Sequence, residues 1–346
     1  MHSRSAICVA LFAAARVAIV SCPACFGESD KASAEAPSQQ QARKTVERSL
    51  EFLKSDAAKW RKEHTCSTCH HGTMTVWALS EAKSQGYAVE PEMLADMVKW
   101  TKERLAKIDE PRDTRDGWKI VNTPAVYLAT MAQAVPKQDA VSADELKRIA
   151  GHLVRHQETN GAWEYSSAPA QNRQPPVFES DELVTRLAYM ALGPHVPADA
   201  KEKSESREKA AAWLAKTERS DTTQADVVRL LFKVRTGEPA KSIQTEIERV
   251  LSLQNKDGGW SQLKDLSSDA YATGQALYVL SEAGVRNDRV EIKRAAAFLL
   301  GNQKEDGSWP MIGRAHPGAT PSKNQIPITY FGSAWGCLGL MRAVGK

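Results

Sequence analysis

Two cysteines and a histidine in one short stretch, Cys66-Ser67-Thr68-Cys69-His70, are the residues of this chain best suited to chemistry. Thiols three residues apart can each add to one of the two vinyl groups of a single porphyrin. An imidazole next in line can then ligate its iron from below, and C-x-x-C-H is the attachment pattern of c-type haem. Cys66 and Cys69 would be the tethers and His70 the proximal ligand. The same atoms serve other chemistries. The thiols could close an exposed disulfide or act as a redox pair, or join His64, His70 or His71 around zinc. Structural zinc sites usually draw a second ligand pair from another knuckle, and no second C-x-x-C lies beyond the expected leader, which holds Cys22 and Cys25. Haem c is therefore the expected cofactor, with Zn the alternative.

The elements that must position this stretch announce themselves by repetition. Gln157-x3-Gly161-x-Trp163, Gln254-x3-Gly258-x-Trp260 and Gln303-x3-Gly307-x-Trp309 share one signature, the last two 49 residues apart and the first two 97 apart, nearly twice that period. A fixed period of this size is the mark of a repeat architecture. Each signature follows an amphipathic run; the glycine suits a left-handed turn, the Trp can fold back over the helix end, and the Gln offers hydrogen bonds to the turn. A second run, apolar on most faces, comes next, as in Tyr271–Ala283. Alternation of amphipathic and almost wholly apolar helices predicts two concentric layers.

Six outer–inner pairs are expected, at about 42–60 and 71–84, 91–108 and 122–134, 142–157 and 179–193, 200–217 and 222–236, 240–254 and 269–283, and 289–303 and 330–344. Gly86, Gly193, Gly237 and Gly284 punctuate inner-helix ends and Pro91 opens an outer helix. Six hairpins can close on themselves, so the fold class is all-α, an (α/α)6 toroid of residues 41–346.

The Q-x3-G-x-W turns, with the inner-helix sequence Ser268–Gly284, resemble the QW repeats of squalene–hopene cyclases and related prenyltransferase-type toroids. The likeness is strongest in the fifth and sixth repeats and degenerate in the second, where Asp116-Gly117-Trp118 stands. The cyclases' D-x-D-D acid motif, which the resemblance would require for catalysis, is missing. The nearest acids are Asp181 and Glu182, after Glu179-Ser180, and Asp269; Asp and Ser at such positions are also ordinary N-caps. The zinc ligands of protein prenyltransferases have no counterpart. A haem-free cyclase-like enzyme or hydrophobic-ligand binder using Asp181, Glu182 or Asp269 is thus the first alternative function, and a zinc-stapled interaction module the second.

Trp77–Ala82 matches Tyr278–Ala283 at an offset of 201, which places C-x-x-C-H at the start of the first inner helix, facing the cavity mouth. Closure sets the sixth repeat beside the first, bringing the connection Pro310–Pro327 to the motif; its His316 and Met311 are the candidate distal iron ligands. His71 cannot reach the far side of the iron and reads as a polar surface or pocket residue.

Composition fits an ordinary globular protein, with 42% hydrophobic and 25% charged residues and a net charge of +4 spread without a basic block, so no nucleic-acid partner is expected. Residues 1–27 read as a secretory leader, with an apolar run Ala6–Ala15 interrupted by Arg16, or as a lipoprotein leader lipidated at Cys22. Residues 28–40 read as a flexible linker. The expected location is periplasmic or membrane-anchored, with no transmembrane span in the mature chain. The expected partner is an electron-transfer protein or a hydrophobic small molecule. Cys337, in an apolar stretch, reads as a small buried residue.

Overall fold

The computed structural model describes residues 38–64, 70–105, 122–134, 141–164, 179–193, 200–309, 311 and 325–345. All its elements are helices: α1 (Gln39–Glu63), α2 (His71–Ser84), α3 (Pro91–Leu105), α4 (Asn122–Ala134), α5 (Ala143–Arg155), α6 (Asp181–Ala191), α7 (Ala200–Leu214), α8 (Thr223–Thr236), α9 (Ala240–Ser252), α10 (Ala270–Glu282), α11 (Val290–Asn302) and α12 (Gln325–Val344). They form the six expected pairs. Leader, linker before Ser38, Asp116-Gly117-Trp118, His195, Cys66, Cys69 and His316 lie outside the described residues.

Helices α1 and α12 run beyond their expected bounds, α1 by three residues at each end. Helix α1 starts inside the expected linker because Ser38 and Gln41 make a reciprocal capping box, each side chain accepting from the other's backbone N–H at 3.2 and 3.1 Å. Helix α12 starts at Gln325 rather than at about 330. Pro327 is its third residue, and a first turn needs no N–H from it.

The even-numbered helices form a closed inner ring, each touching the next in the order α2, α4, α6, α8, α10, α12 and back to α2, with the odd-numbered helices outside. Position in the layer explains the composition. Residues His71–Ala82 of α2 are buried on every face, whereas α5 buries only the stripe holding Ile149, Ala150, His152 and Leu153.

The three Gln-Gly-Trp turns work alike. Each Gln side-chain amide donates to the carbonyl of the turn glycine and to an outer helix of the next repeat: Gln157 to Ser206, Gln254 to Glu291 and Gln303 to Thr45, at 2.7–2.8 Å. Each buried Trp indole donates to the carbonyl ten residues back, Leu153, Val250 or Leu299, at 2.8 Å. Each Trp backbone N–H donates to a hydroxyl on the following inner helix, Thr185, Thr273 or Ser333. Gly161, Gly258 and Gly307 have φ of 96°, 91° and 86°, and a Cβ there would lie 2.3–2.7 Å from a carbonyl oxygen of the next outer helix. The turns are staples between repeats.

The fourth repeat, which has no such signature, uses charge instead. Arg219, in the turn after α7, pairs with Glu246 on the next outer helix at 2.8 Å and with Asp226 at 2.5 Å.

Candidate functional site

His70 is the N-cap of α2, the first inner helix, and is 5% exposed. Its Nδ1 hydrogen-bonds to Nδ1 of His71. Nε2 of His71 in turn reaches Oδ2 of Asp56, on α1, at 3.0 Å. The His71 ring lies between two aromatic rings: Trp60 of α1 stacks on it at 4.4 Å and 7°, and Tyr330 of α12 at 3.7 Å and 26°. Trp60 also presents its edge or face to His70 at 4.8 Å and 80°. The Tyr330 hydroxyl is tied to Thr75 and donates to the Leu53 carbonyl at 3.1 Å. Three helices from the first and sixth repeats therefore build the surroundings of one imidazole.

Of the two positions the sequence allowed His71, surface or pocket, the structure shows a fully buried one, and its partners there were not anticipated. Asp56, Trp60 and Tyr330 carried no sequence signal either, because nothing in their local spacing differs from ordinary helix positions.

Burial, with smaller contributions from His71 and His64, pushes the pKa of His70 well below the usual histidine value. Burial lowers that of His71 too, against the opposing pull of Asp56. Both rings are thus favoured in the neutral form, the form in which an imidazole nitrogen binds a metal. Among the described residues Nε2 of His70 has no hydrogen-bond partner. A neutral imidazole held at one nitrogen and bare at the other fits the demands of a haem iron ligand.

The other predicted residues are placed as follows. Met311 is buried, and its sulfur packs on Gly332, two positions and so roughly 200° round α12 from Tyr330. Its side chain is thus committed to the face of α12 away from His71. Asp269 is the N-cap of α10, accepting from the Ala272 N–H and from the Gln262 amide at 2.8 Å each. Asp181 opens α6. Glu182 accepts from Arg229 at 2.6 and 2.7 Å, from Arg186 at 3.1 Å and from the Ser220 N–H at 2.9 Å. Its burial would raise its pKa, but Arg229, the Ser220 amide and the charge of Arg186 together hold it down to about 2. Glu182 is thus an ionised partner to Arg229, a poor proton donor. His152 and His156 are spaced like helical zinc ligands, but they stack on each other at 4.1 Å on outer helix α5, and no group of three metal-binding side chains forms among the described residues. Cys337 is buried, and burial pushes its thiol pKa up to about 12.

The ring interior is occupied by aromatics that touch past their neighbouring helices. Tyr127 of α4 meets Phe331 of α12 at 5.6 Å, and Trp77 of α2 meets Tyr278 of α10 at 5.6 Å. At the far end of the inner helices a polar chain runs from Glu81 through Arg342, Glu282, Arg235 and Gln133 to the Met190 carbonyl, joining all six. The end opposite, where inner helices begin, carries His70, Glu182 and Asp269.

Residues 221–346 match the family of the squalene-hopene cyclase C-terminal domain. A squalene–hopene cyclase of Bradyrhizobium diazoefficiens is 28% identical over 123 residues, 36% of this chain but only 18% of that enzyme. Among solved structures, a possible GH105 family member from Salmonella enterica serovar Paratyphi A superposes with a TM-score of 0.59 at 11% identity, covering 90% of this chain and 95% of that one. The type II terpene cyclase MstE from Scytonema gives 0.53 at 14% identity, over 88% and 99%. The chain accordingly has the all-α (α/α)6 toroid fold that these structures share, and its C-terminal third resembles a squalene-hopene cyclase domain. Two similar structures with such different names also show that this scaffold does not dictate chemistry.

Proposed function

We propose that this chain is an exported c-type haem protein built on a cyclase-like toroid, carrying electrons or acting on a small molecule where the inner helices begin. One observation carries the reading: His70, directly after the C-x-x-C pair, caps an inner helix as a buried imidazole held at Nδ1, with no partner for Nε2 among the described residues. Cys66 and Cys69 would hold the porphyrin by thioethers and His70 would bind its iron. A bound haem supplies one-electron exchange between ferric and ferrous iron. Trp60 packs on both imidazoles and Tyr330 on His71, and Asp56 and His71 anchor the ring of His70. Met311 being packed on Gly332, His316 is the candidate we retain as a second residue that would bind the iron.

The test is expression in a periplasm equipped for cytochrome c maturation. The chain should emerge coloured, with haem that resists acid–acetone extraction, and Cys66→Ser with Cys69→Ser should yield extractable or no haem. His70→Ala should alter the visible spectrum. Colourless wild-type protein contradicts the reading.

The family match favours a second reading, a haem-free cyclase-like enzyme with Asp181, Glu182 or Asp269 as the acid. Against it stand the missing D-x-D-D, the ion pair that keeps Glu182 charged, the capping role of Asp269, and aromatics that meet past their neighbouring helices inside the ring. Incubation with a linear polyprenyl substrate decides it: cyclised product lost in Asp269→Asn would support this reading.

A further inference from the structure

Resting on the haem reading, we propose that Asp56 and His71 are positioning residues which fix the tautomer of His70, so that its Nδ1 donates and its Nε2 is left with the lone pair that takes iron. The inference follows from the order of the hydrogen bonds. A carboxylate accepts only, so Oδ2 of Asp56, 3.0 Å from Nε2 of His71, requires the proton on that nitrogen. Nδ1 of a neutral His71 then carries a lone pair. Nδ1 of His70, its partner, has to be the donor in the bond between them. A neutral His70 with its proton on Nδ1 is bare at Nε2. A neutral histidine in water prefers the opposite arrangement, with the proton on Nε2, which blocks that atom for a metal. Asp56 therefore sets, two rings away, which nitrogen can ligate.

Geometry keeps the relay in register. The ring of His71 cannot turn without leaving its stack between Trp60 and Tyr330. The single hydroxyl proton of Thr75 lies between the His71 carbonyl and the Tyr330 hydroxyl, tying backbone and sandwich together. A ligand whose far nitrogen donates toward a carboxylate-backed acceptor is the more basic for it, and favours ferric over ferrous iron.

Two readouts test this. In the full chain before haem attachment, long-range proton–nitrogen spectra of the imidazoles should show His70 protonated on Nδ1 and His71 on Nε2. Asp56→Leu should release both assignments. In the matured protein, the haem-loaded fraction of Asp56→Asn and of Asp56→Leu should show a midpoint potential shifted upward. His70 protonated on Nε2 in the unaltered chain, or an unmoved potential in both variants, overturns the relay. A chain that takes up no haem defeats the proposed function instead, and the imidazole spectra still decide the relay.

Discussion

The side chain of Gln303 donates to the backbone carbonyl of Thr45 at 2.8 Å, joining the turn of the last repeat to the first helix across 258 residues of sequence. The Gln157–Ser206 and Gln254–Glu291 bonds are the same contact between consecutive repeats. The toroid therefore closes with the device it uses to propagate. Gln303→Ala leaves the carbonyls of Thr45 and Gly307 without this donor, and should cost about 1–3 kcal/mol in urea unfolding. Gln157→Ala and Gln254→Ala should cost similar amounts. A neutral Gln303→Ala beside costly internal variants would mean the ring is not held shut there.

Glycine 307 gives a sharper contrast. Its φ is +86° and an added Cβ would sit 2.3 Å from the Arg48 carbonyl oxygen, a backbone atom with no freedom to yield. Gly284, at φ +79°, has nothing within 4 Å. Gly284→Ala should cost only the left-handed penalty of roughly 1–2 kcal/mol. Gly307→Ala adds a clash of about 1–3 kcal/mol to that. Equal losses in thermal or denaturant unfolding would contradict the close approach.

Glu182 makes acid stability predictable. Its folded pKa of about 2 lies below the ordinary 4.5, so its contribution is complete above 4.5 and disappears as pH falls toward 2. Glu182→Gln should therefore destabilise by on the order of 3 kcal/mol at neutral pH, and the gap to wild type should narrow between those two pH values. A gap that stays constant down to the lower value would show that the carboxylate is not paired as described.

Tyr330 separates hydroxyl from ring. Tyr330→Phe loses the bonds to Thr75 and Leu53 but keeps the stack on His71, a cost of about 1–2 kcal/mol. Tyr330→Ala also removes the ring, and should cost about 3–5 kcal/mol by calorimetry. The matured Phe variant should keep its visible spectrum while the Ala variant changes. Indistinguishable variants would mean that the stack does not support His71.

Much of this was legible because the turns are local. Gln, Gly and Trp within seven residues carry the staple in their own spacing, and layer composition separates α2 from α5 without reference to any partner. What stayed hidden is long-range or compensatory. Asp56 meets His71 only because α1 packs on α2, and Tyr330 only because the ring closes. The fourth repeat concealed its staple by replacing Gln and Trp with Arg219 and Glu246, a substitution with no signature along the chain. Glu182 looked like a candidate acid until Arg229, 47 residues later, was seen to neutralise it.

The central claim is decided most directly by the intact mass of the denatured protein after maturation in a cytochrome c–competent periplasm. The mature polypeptide plus one haem, dropping to bare polypeptide when Cys66 and Cys69 are both changed to Ser, is the predicted result. A wild-type mass equal to polypeptide alone would contradict it.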